Sequence, residues 1–103
     1  MLAAAALAAG TALAPALAAP AQADTPGCVS KAEYGKVRTG WSLARVHRLF
    51  DTAGSQIDYH PGSPGFPASQ SRQYRGCPAY SQVQVVYDKR NGVWRVTQRY
   101  AAW

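Results

Sequence analysis

Acidic side chains are scarce in this chain: five Asp and Glu stand against eleven Lys and Arg over 103 residues, for a formal net charge of +6. Only one of the five is a glutamate, Glu33, and there are only two histidines, His47 and His60. That leaves little material for acid–base catalysis. No HExxH, CxxC or His-x-His spacing offers a metal site, no Ser or Cys sits in a nucleophile-elbow context, and no glycine-rich phosphate loop is present. The chain is therefore expected to be no enzyme and to need no cofactor. Charge is missing altogether from residues 1–23, and every aromatic residue and both cysteines lie in 24–103. A working part of that length makes one small domain with a thin core. It is too short for a Rossmann unit or a TIM barrel.

What residues 1–23 do contain is an apolar Ala/Leu run, broken by Gly10 and Pro15 and ending at Ala21-Gln22-Ala23. This small-x-small ending is the pattern a signal peptidase cleaves, so 1–23 is expected to be a signal peptide and 24–103 an exported domain. A retained anchor is the alternative, but alanine is weakly hydrophobic and Pro15 would interrupt the span, so no stable membrane span is expected. Cys28 and Cys77 are the only cysteines. Acylating Cys28 as a lipoprotein would strand Cys77 as an odd thiol in an oxidising compartment. A Cys28–Cys77 disulfide leaves nothing over.

The pattern along 24–103 changes period once. Ser30 and Glu33 have capping-box spacing, and Val29 and Tyr34 stand where a hydrophobic staple places them, so a helix is expected from here through Arg38, stopping at Gly40. Ser42 caps a second helix, with Trp41 and Val46 as its staple and Leu43, Val46, Leu49 and Phe50 on one face. After Gly54 the period becomes two. Strands are expected at Gln56–His60, Arg72–Cys77, Tyr80–Tyr87 and Val93–Tyr100, with a Pro- and Gly-rich loop over 61–70 and a hairpin turn at Asn91-Gly92. The fold class is α+β in the order α-α-β-β-β-β, with the helix pair packed on one face of a four-stranded antiparallel sheet. Val83, Val85, Tyr87, Trp94, Val96 and Tyr100 are expected beneath the helices. Gln82, Gln84, Val86, Arg95, Thr97 and Arg99 are expected on the opposite, open face.

Tyr34-Gly35-Lys36-Val37-Arg38-Thr39-Gly40-Trp41-Ser42-Leu43-Ala44-Arg45-Val46 resembles the helix–turn–helix signature of the secreted β-lactamase inhibitory proteins. The resemblance implies a helix pair on a four-stranded antiparallel sheet, with Tyr34, Val37, Gly40, Ser42, Ala44 and Val46 as structural positions. It implies enzyme inhibition as a function class. The inhibitors carry two such modules and this chain has length for one. Trp41 stands where the family has methionine, and no inhibitory residue carries over.

The remaining chemistry points to binding. His47 and Asp51 are four apart and within reach on one helix face, and His60 stands beside Asp58, but neither pair has company enough for a site. Phe66, between Gly65 and Pro67 on a loop stiffened by prolines, either anchors a partner or folds back over a sheet edge. Tyr59, Tyr74, Arg75, Arg95 and Arg99 join Phe66 as the candidate partner-binding residues, since Tyr and Arg are the composition of interface hot spots. The expected partner is an extracellular protein, with an enzyme as the specific case. The alternative is an anionic cell-envelope component held by the arginines, and a small secreted hydrolase is a distant third. No nucleic acid partner is expected for an exported protein.

Overall fold

The computed structural model describes residues 27–103; the signal-peptide reading of 1–23 lies outside them. The elements follow in the order α1 (Lys31–Lys36), α2 (Leu43–Phe50), β1 (Ser55–His60), β2 (Ser69–Arg75), β3 (Gln82–Arg90) and β4 (Val93–Ala102). The strands form one antiparallel sheet in the order β1-β2-β3-β4. The α-α-β-β-β-β order read from the residues is the order of the fold. Among the described residues no helix is long and apolar enough to cross a membrane.

Local chemistry sets the helix starts. Ser30 accepts from the Glu33 amide while the Glu33 carboxylate accepts from the Ser30 amide, each at 3.0 Å, which closes the capping box. Ser42 caps α2 by accepting from the Arg45 amide. The first helix ends earlier than Arg38, because Val37 is already extended (φ −68°, ψ 135°) and is drawn into the core at 1% exposure. Asn91 and Gly92 both have positive φ, 51° and 80°, which is the two-residue turn that matches strand twist. It lets β3 and β4 run longer than their apolar stretches indicate. Gly54 is required by space as well as by its φ of 61°: a Cβ there would lie 2.5 Å from the Gln73 carbonyl and the Tyr74 ring.

One buried cluster joins Val29 and Val37, Val46 and Phe50 of α2, Tyr74 of β2, Val83, Val85 and Tyr87 of β3, and Val96 of β4. The strand pairing puts Tyr74, Val83, Val85, Tyr87 and Val96 on a single sheet face, hereafter the core face. A bulge displaces the expected alternation in β4. Val86 pairs with Gln98 but Tyr87 pairs with Val96, so Thr97 is extra, and its hydroxyl donates to the Val86 carbonyl. Beyond the bulge every side chain changes face. Tyr100, expected in the core, is 52% exposed on the outer face. Arg99, expected on the open face, lies instead on the core face, where its guanidinium stacks 4.3 Å from the Tyr34 ring and donates to the Tyr34 carbonyl.

Two connections close the structure. The turn between the helices runs along the edge of β4, with the Gly40 amide donating to the Val96 carbonyl and the Val96 amide donating to the Trp41 carbonyl, each at 2.9 Å. At the end of β2, Val29 forms a parallel bridge with Gly76, and the expected Cys28–Cys77 disulfide is formed beside it, with a Cα separation of 4.9 Å.

Candidate functional site

Two groups of polar and aromatic side chains stand out, one inside the core and one on the outer face of the sheet. The first begins on the core face. His47 of α2 lies with Nε2 2.8 Å from the Tyr74 hydroxyl, which in turn shares a 2.7 Å hydrogen bond with the Tyr87 hydroxyl. His47 therefore bonds to Tyr74 across the fold, and Asp51 at the end of its helix adopts the left-handed conformation instead. Burial, helped by the Arg72 guanidinium, lowers His47 from 6.5 to about 4. Burial likewise pushes the Tyr74 hydroxyl up to about 12 and raises that of Tyr87. All three groups are neutral at neutral pH. A base held that low accepts protons weakly, and both hydroxyls end in the core, so the trio works as a hydrogen-bonded core network.

The network has a consequence for acid stability. The unfolded chain takes up a proton on His47 near pH 6.5, whereas the folded chain refuses it until about pH 4. Stability due to this group is full above 6.5, falls as pH drops through that window, and loses nothing more below it. The loss expected for a partly exposed ring is on the order of 1–2 kcal/mol. Urea unfolding of the protein and of His47→Gln across this window should show the variant with the shallower pH dependence. Equal slopes would remove His47 from the account.

Beyond this network the core face carries aromatic rings toward the end of the sheet where β1 finishes. Tyr59 of β1 and Trp94 of β4 meet edge-to-face with centroids 6.3 Å apart, reaching toward each other above the two strands between them, and the Lys89 ammonium sits 5.7 Å from the Trp94 ring. At the same end the loop expected over 61–70 spans only 61–68, because Ser69 and Gln70 already pair with β1 and β3. It carries a tight turn in which Ser63 and Phe66 exchange backbone hydrogen bonds at 2.8 and 3.0 Å. Pro64 and Gly65 occupy its central positions, with Gly65 at φ 87°, the arrangement of a type II turn. Phe66 does not fold back: it is 72% exposed. The Lys89 amide donates to the Ala68 carbonyl and ties the loop to β3. The result is a phenylalanine held out on a stiff support.

The second group is the outer face. Ser69, Ser71, Gln73 and Arg75 of β2, Gln82, Gln84, Val86 and Asp88 of β3, and Gln98 and Tyr100 of β4 share it by register, and none of them is buried. It is largely an amide and hydroxyl surface.

The six residues proposed for partner binding are thus dispersed. Phe66 and Tyr59 are exposed at one end of the molecule, while Arg75 is exposed on the outer face at the other. Arg95 is exposed but donates to the Gly40 carbonyl. Tyr74 is 1% exposed and hydrogen-bonded on both sides, so it belongs to the core and is unavailable to a partner. Arg99 is committed to Tyr34. This use of arginine is general. Arg38, Arg45, Arg72, Arg90, Arg95 and Arg99 all bond to or stack on groups within the chain. Among the described residues no three of His, Cys, Asp and Glu gather as the donors of a metal would. Of the residues that alternation assigns to the core, Trp94 packs against it from the core face, while Tyr100 lies on the outer face. The bulge at Thr97 is what turns Tyr100 outward.

Compared with protein-family models, with curated proteins and with solved structures, the chain finds no match.

Proposed function

We propose that this protein is an exported, non-catalytic binding module whose partner is an extracellular protein, engaged through the 61–68 loop and the open sheet face. Phe66 carries the reading. A large apolar side chain at 72% exposure stands on a turn closed by two backbone hydrogen bonds and flanked by prolines, so the backbone that presents it is ordered before any partner arrives. Little further ordering is then needed to bury it, which is how an anchor residue gains affinity. Tyr59, half exposed on the preceding strand, adds a second amphipathic ring at the same end. Export rests on the apolar leader and its small-x-small ending, and the disulfide is compatible with an oxidising compartment. Inhibition of an enzyme is the specific version and rests on the Tyr34–Val46 resemblance alone.

Binding to an anionic envelope polymer is the weaker alternative, because six of the eight arginines already serve contacts within the chain. The two readings part experimentally. The immobilised protein should retain a protein from the secreted fraction of its producer in a saturable manner, and Phe66→Ala should weaken that complex by roughly tenfold to thirtyfold. Retention on an anionic matrix that disappears with rising salt and ignores Phe66→Ala would replace this reading with the polymer one. Titration against a secreted β-lactamase tests the inhibitor version, which requires a fall in hydrolysis that Phe66→Ala relieves.

A further inference from the structure

Gln82, Gln84, Tyr100, Ala101 and Ala102 line a shallow hollow of about 170 Å³ on the molecule. It lies at the disulfide end of the sheet, where Arg75 pairs with Gln82 and Gln82 with Ala102, opposite to the end that carries the Phe66 loop. From its lining we infer a second binding site, one for a pyranose ring of a neutral glycan. This goes beyond the protein-binding reading: it uses the far end of the same open face and does not depend on Phe66.

Three observations carry the inference. First, no lining residue is charged, in a chain of net charge +6. A site for an anion would bring an arginine or lysine into the wall. Second, the polar part of the wall is made of amides, which donate and accept at once, as a ring of hydroxyl groups requires. Gln82 is already oriented, since its Oε1 accepts from Gln73 Nε2 at 2.7 Å, which leaves its own Nε2 donor for a ligand. Third, Tyr100 pairs across the strands with Gln84 and is 52% exposed. Its hydroxyl is tied down by donation to Gln98 Oε1. What remains to bind with is the ring face, apolar and electron-rich, which suits the C–H bonds along one side of a sugar ring. Aromatic face, amides and small methyl groups without charge match a polyhydroxylated neutral ring.

Tyr80, two residues before Gln82, is a further exposed aromatic at this end of the chain's third strand. It stands in the turn that leads into Gln82, its ring is completely exposed, and its backbone is held at φ 61°, a conformation that disfavours any residue with a Cβ. Neither packing nor turn geometry calls for tyrosine at this position.

The test is a titration of the isotopically labelled protein with three neutral hexasaccharides (chitohexaose, cellohexaose and maltohexaose) and with an anionic one, hexagalacturonate. At least one neutral chain should bind saturably and shift the amide resonances of Gln82, Gln84 and Tyr100–Ala102. Tyr100→Ala should weaken it by about tenfold, Phe66→Ala should leave it unchanged, and salt should have little effect. Gln84→Leu provides a second variant in case Tyr100→Ala folds poorly. The inference falls if none of the three neutral chains shifts these resonances, if the shifts centre elsewhere, or if only the anionic chain binds. Failure here leaves the Phe66-dependent complex untouched, and loss of that complex leaves this titration unchanged.

Discussion

Reduction of the Cys28–Cys77 disulfide is expected to lower the stability of the domain by on the order of 4 kcal/mol. The bond joins cysteines 49 positions apart, so cutting it returns a long loop to the unfolded chain and raises that state's entropy. For a domain of this size such a loss corresponds to a fall in Tm of roughly 15–30 °C. The structural reason reaches beyond loop length. Val29, next to Cys28, is fully buried and bonds to the Arg75 carbonyl, while the Cys77 amide donates to the Val29 carbonyl. The disulfide therefore fastens the lead into α1 to the end of β2, and a six-residue helix has no stability of its own once that lead is loose. Thermal melts with and without a reductant, and of the Cys28→Ser, Cys77→Ser double variant, give the measurement. A shift of only a few degrees would mean that the core holds α1 without the cross-link.

The second large effect separates the two phenylalanines. Phe50→Ala should cost about 3–5 kcal/mol, enough to leave so small a domain barely folded. Phe50 is fully buried in α2 and meets the Tyr74 ring edge-on at 5.0 Å. Its removal opens a cavity among residues of α2 and the strands and withdraws packing from the ring whose hydroxyl links His47 and Tyr87. Phe66→Ala should change stability by no more than about 0.5 kcal/mol, because 72% of that residue already faces solvent. Denaturant unfolding of both variants gives the comparison. Destabilisation by Phe66→Ala approaching that of Phe50→Ala would show that Phe66 serves the fold, and would remove the anchor on which the binding reading depends.

The features legible in the residues were those governed by neighbours in sequence. The capping box, the Ser42 cap and the Asn91-Gly92 turn each lie within four positions and all formed. Boundaries were less legible. α1 stops at Lys36 because Val37 is drawn into a core assembled by distant strands, and β3 runs on to Arg90 because pairing with β4 supports residues that are not themselves apolar. The candidate sites divide the same way. An aromatic between prolines and glycines marked the 61–70 loop, but its exposure depended on whether anything packed over it. The Tyr100 hollow left no trace in the alternation pattern, since that pattern counts by twos and the bulge at Thr97 adds one.

By itself, the amino-acid order determined the element sequence, the helix caps, the hairpin turn and the pairing of the only two cysteines, because each follows from backbone preference, period or simple counting. The tertiary structure alone decided which face of β4 looks outward, that Tyr74 is core, that Arg99 is a clamp on Tyr34, and that His47 turns to Tyr74. Those outcomes depend on register and on groups far apart along the chain. A one-residue bulge exchanges the two faces at almost no local cost, so no local signal reports it.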